Sequence, residues 1–62
     1  MTPSIGDTFR IEGHRGMRWR CVELGEGTVT AYGGSMQPWG RQGWRTFRDT
    51  LPFVVVEEKQ DA

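Results

Sequence analysis

Acid–base or nucleophilic chemistry in this chain would have to come from His14, Cys21 or the carboxylates Asp7, Glu12 and Glu23. A general base must lie within hydrogen-bond reach of the proton it removes, and a second group commonly orients it. His14 sits in the glycine-flanked stretch Gly13-His14-Arg15-Gly16, with no carboxylate adjacent to it in sequence, and reads as an exposed turn histidine. Cys21 falls in the middle of an apolar alternation and reads as a small packed thiol. Arg18 and Arg20 would lower its pKa only if it were exposed. The carboxylates are scattered and show neither paired-acid nor metal-ligand spacing. One cysteine and one histidine make neither a disulfide within the chain nor a four-ligand zinc site. Gly33-Gly34 lacks the Lys-Ser/Thr and the helix of a phosphate-binding loop. The expectation is a protein that is not an enzyme and uses no metal or cofactor.

Binding is the better-supported chemistry. Trp19, Trp39 and Trp44 are interleaved with Arg18, Arg20, Arg41 and Arg45. Both residue types are enriched at interface hot spots, because each offers a large contact area with a polar handle. Trp39 lies in the Pro/Gly-rich segment from Gly33 to Gly43, which has little core to contribute, and Met36 adds an adaptable apolar contact there. Met36, Trp39, Arg41, Trp44 and Arg45 are therefore the expected contacts for a protein partner. Two alternatives stand beside this: Trp39 folded back as a cap over the end of the domain, and Trp44 in the core or at its rim. Trp19 fits either core or contact. A basic and aromatic mixture also suits nucleic acid, since aromatic rings stack on bases while arginines track phosphates. Arg18, Trp19, Arg20 and Arg48, with Arg45, are the residues for that alternative. Overall neutrality argues against it.

The elements that must position these side chains are short. Glycines and prolines cut the chain into pieces with no sustained helical period, each rich in β-type residues and bounded by turn residues. The sequence predicts strands over Asp7–Glu12, Met17–Leu24, Thr28 to about Tyr32, Trp44–Arg48 and Phe53–Glu57. A tight turn centred on Glu26-Gly27 would pair Leu24 with Val29 and Val22 with Ala31. That register gathers the four aliphatics on one face and leaves Trp19, Cys21 and Tyr32 on the other. The whole of Gly33–Gly43 is expected to be loop, and Pro52 to break the chain before the last strand. The expected fold is all-β, a small SH3-like barrel of about five short strands that curls on itself to remove its edges. An open antiparallel sheet completed by dimerisation is the alternative. A flexible N-terminus over residues 1–4 precedes a single domain at 5–57, and a frayed acidic tail follows at 58–62.

The glycine-opened first strand, the Glu-Leu-Gly-Glu-Gly hairpin, Tyr32-Gly33-Gly34, the glycine-rich loop, Trp44-Arg45-Thr46-Phe47-Arg48 and the valine-rich end together resemble a family of short uncharacterised proteins encoded by phages of high-GC actinobacteria. The resemblance covers roughly residues 5–57. The acidic ending Glu57-Glu58 departs from it, since a basic end is more typical there. The family supplies no activity. It implies a viral protein, and the expected function is a non-enzymatic interaction module, a phage accessory protein that binds and modulates a host or viral protein. Residues 1–56 carry seven arginines against five carboxylates, a surplus of two, while the tail from Glu57 carries one lysine against three. No apolar run is long enough to span a bilayer, and Met1-Thr2-Pro3-Ser4 has none of the regions of a signal peptide. The expected location is the cytoplasm, the host cytoplasm if the chain is phage-encoded. No membrane partner is expected, and a monomer is favoured over a homodimer.

Overall fold

The computed structural model describes residues 2–58. Five strands make one antiparallel sheet: β1 (Thr8–Ile11), β2 (Met17–Gly25), β3 (Thr28–Ser35), β4 (Gln42–Arg48) and β5 (Phe53–Glu57). The order across it is β4-β3-β2-β1-β5, so four consecutive strands meander and the last returns to pair with the first. The all-β class is as the sequence predicts. Closure is not: β4 and β5 are the two edges of an open sheet. The sheet nevertheless bends until its edges face each other. Phe47 on β4 and Phe53 on β5 meet edge to face, with ring centroids 6.2 Å apart. No ladder joins these two strands.

Those rings belong to a core of Phe9, Trp19, Cys21, Val29, Ala31 and Phe47, flanked by Ile11, Met17, Leu51 and Phe53. Phe47 is its hub, meeting Phe9 at 5.8 Å and Trp19 at 5.2 Å, both edge to face. Such pairs add about 0.5–1.5 kcal/mol each beyond the area they bury. In a chain with neither a disulfide nor any metal-ligand set among the described residues, this cluster carries the stability.

The β2–β3 hairpin turns on Glu26-Gly27 as predicted, with Gly27 at φ +73° and Leu24 opposite Val29. The predicted pairing of Val22 with Ala31 is wrong. Cys21 stands opposite Ala31, the register shifts before Glu23, and Val22 is the extra residue of a β-bulge. Because side chains alternate with period two, one inserted residue exchanges the faces of everything before it. Trp19 and Cys21 are therefore in the core, whereas Val22 is only half-buried and Leu24 is 44% exposed.

Strand β3 runs three residues past the prediction, through Gly33, Gly34 and Ser35, and β4 starts two residues early at Gln42. The loop shrinks to residues 36–41. The glycines are in the ladder because the backbone passes so close there: a side chain on Gly33 would run into the Arg18 carbonyl oxygen. Pro3 and Ser4, within the stretch 1–4 expected to be flexible, pack against the fold, as does Gly6 of the predicted domain. Pro3 is buried, the Ser4 amide donates to Asp7 Oδ2 at 2.9 Å, and the Gly6 amide donates to the Cys21 carbonyl at 2.8 Å. Beyond Glu58 the predicted frayed tail lies outside the described residues.

Candidate functional site on the outer sheet face

Alternation along each strand gives the sheet a core face and an outer face. On the outer face the ladder sets Arg20 opposite Tyr32, and Tyr32 opposite Trp44, in one row across three strands. The two rings meet edge to face, with centroids 5.1 Å apart and an interplanar angle of 67°. Both are open to solvent, Tyr32 by 43% and Trp44 by 69%. The next row is Arg18, Gly34 and Gln42, and the glycine leaves its middle without a side chain. The Arg18 guanidinium is steered by Nη1, which donates to the carbonyls of Arg15 and Met17, each at 2.9 Å. Gln42 Nε2 donates to the Ser35 carbonyl at 2.7 Å. Thr8 and Val22, the bulge residue, complete the border of an open groove of about 540 Å³. Among the described residues no carboxylate lines it. Arg48 lies on the same face, four residues along β4 from Trp44.

No protein-family model, curated protein or solved structure matches this chain. Its site must be judged on geometry alone.

The residues singled out from sequence divide among three places. Met36, Trp39 and Arg41 stay together on the 36–41 loop, which is tied down where the Met36 amide donates to the Gly16 carbonyl at 3.0 Å. Trp39 is 81% exposed and Met36 59%, so Trp39 is no cap over the core. Trp44 lies on the outer face and not in the core. Arg45, its chain neighbour, falls on the opposite face, with its guanidinium 5.2 Å from the centre of the Phe47 ring. Trp19, expected as a stacking residue, borders the groove but is only 7% exposed, its ring packed against Phe47 on the core side. Tyr32 takes that part. The sequence carries a signal for it: placing β4 beside β3 so that Phe47 faces Val29 puts Trp44 beside Tyr32 automatically.

His14 and Cys21 lie in different environments. His14 is exposed in its turn. Cys21 is buried, and burial pushes its thiol above the ordinary range; the Asp7 charge pushes the same way, and the Glu23 backbone offsets part of the effect. A protonated, enclosed thiol is no nucleophile. Among the described residues no three of His, Cys, Asp and Glu come together as a metal site, and no helix is long and apolar enough to cross a membrane.

Proposed function

We propose that this protein is a non-enzymatic binding module that holds a single-stranded nucleic acid on its outer sheet face. The row Arg20–Tyr32–Trp44 carries the proposal: two exposed rings for bases, bordered by arginines for phosphates and, among the described residues, by no carboxylate. Base–aromatic stacking is worth about 1–3 kcal/mol per base and tolerates any sequence, because every base has a π-face. Net neutrality of the whole chain matters less than this local charge, since interactions beyond a Debye length of about 8–10 Å are screened. The strand order, with the last strand returned to the first around an aromatic core, supports an SH3-like half-open barrel as the scaffold. Titration of a labelled single-stranded oligonucleotide at several salt concentrations tests the function. Binding that weakens with salt at a log–log slope of about −2 is expected if Arg18, Arg20 and Arg48 each neutralise one phosphate, at roughly −0.7 per contact. Binding that is absent, or indifferent to salt, rejects it.

A protein partner is the second reading, and the exposure of Trp39 beside Met36 favours it. A loop tryptophan with no intramolecular ring contact is a ready anchor, as the accessory protein of a phage would use to engage a host or viral protein. The two readings use different surfaces. Loss of oligonucleotide binding in Trp44→Ala with retention in Trp39→Ala assigns nucleic acid to the sheet face and leaves the loop for protein.

A further inference from the structure

We infer that the core side of the sheet holds a second site, for a small apolar carboxylate. On its core side the sheet is bordered by the β1–β2 turn and by Leu51, which follows β4. A cavity of about 390 Å³ lies there, distinct from the outer groove. Met17, Trp19, Phe47 and Leu51 form its apolar walls. A volume of this size suits a small molecule, for which pockets typically combine apolar walls with a few placed polar groups. Among the described residues the polar side chains here are Arg45 and His14, and no carboxylate lines the cavity.

Arg45 is the determinant. Its guanidinium stands 5.2 Å from the Phe47 ring centre, an attraction that holds the group at the wall. Arg45 is exposed at the cavity lining and makes no ion pair among the described residues. A planar guanidinium matches a carboxylate with two parallel hydrogen bonds. His14, in the turn between β1 and β2, also lines the cavity and supplies a further polar group. Met17 can adapt its thioether to an irregular ligand. The combination selects one charge and one body: a carboxylate at the mouth, with an aryl or medium-length alkyl group directed towards Trp19 and Phe47. A free phosphate has no apolar body to fill the walls, and a neutral hydrocarbon leaves Arg45 without a partner.

The site rests on the other face of the sheet from the nucleic-acid proposal, and either can fail alone. The test is titration of the full chain with 3-phenylpropionate and with its neutral amide, followed by backbone amide resonances. Saturable shifts centred on Met17, Trp19 and Leu51, with the acid at least tenfold tighter than the amide, are expected. Arg45→Gln, at an exposed position, should fold as the parent does and reduce the acid to the affinity of the amide. Arg45→Lys, which keeps the charge but not the fork, should recover only part of the difference. Equal affinity for acid and amide overturns the proposal, as do the absence of saturation and shifts centred on Tyr32 and Trp44.

Discussion

At the scale of single residues, three tryptophans in one short chain occupy three environments, and their substitutions separate accordingly. Trp39→Ala should shift stability by no more than about 0.5 kcal/mol, the usual range for an exposed position free of special contacts. Trp44→Ala should also melt close to the parent, losing mainly its contact with Tyr32, yet weaken oligonucleotide binding by tenfold or more. Thermal melts beside a binding titration check both; an unfolded Trp44→Ala would make the Tyr32–Trp44 pair structural. Phe47→Ala is the opposite case. It removes the ring that touches Phe9, Trp19 and Phe53, and should cost about 3–5 kcal/mol, a large share of what so small a domain possesses. Cys21 adds a dependence on pH. Its thiol titrates higher in the folded protein than in the unfolded chain, so the unfolded state loses the proton first as pH rises. Stability from this group is complete below the unfolded value of about 8.5 and declines above it until the folded thiol ionises. Denaturant melts across the alkaline range should show that decline in the parent and a shallower one in Cys21→Ala. Identical slopes in the two proteins would remove Cys21 as its cause.

At the scale of elements, the bulge at Val22 governs which side chains reach which face. Deleting Val22 should leave Cys21 opposite Ala31 and Leu24 opposite Val29, because the extra residue has no partner in the ladder. Deleting Arg20 should instead slip the preceding residues onto the wrong face and unfold the domain. Hydrogen exchange on the two variants distinguishes them; equal loss of protection in both would mean that the bend made by the bulge is itself indispensable. The same bulge explains the limits of sequence reasoning here. Strand β5, the Glu26-Gly27 turn and the pairing of Leu24 with Val29 are legible because valines, glycine and alternation mark them directly. A bulge has no such mark. Val22 continues the apolar alternation with Leu24, and only the demand to bury Trp19 with Phe47 reverses it. Gly33 and Gly34 mislead for a related reason: glycine marks a loop and a close backbone approach alike, and the second cause operates here. Of the candidate contacts, the loop group was legible from composition. The pairing of Tyr32 with Trp44 depends on the register of two strands that eleven residues of glycine-rich chain obscure.

At the scale of the whole molecule, the open sheet exposes two edges whose charges differ. The β4 edge carries Arg45 and Arg48, both exposed; the β5 edge ends in Glu57 and continues into Glu58. Pairing two copies about a two-fold axis would set β4 against β4 or β5 against β5, like charge against like. Charged edge residues are a common guard against such pairing. Light scattering at micromolar concentration should therefore find a monomer, and a stable dimer there would restore the idea of a sheet completed by a second copy. The same asymmetry has a different consequence when the protein is crowded. An arginine-bearing edge of one copy is complementary to the glutamate-bearing edge of the next, and that contact leaves both outer edges free to repeat it. Whatever association occurs should then be head to tail, favoured by low ionic strength and dispersed by salt.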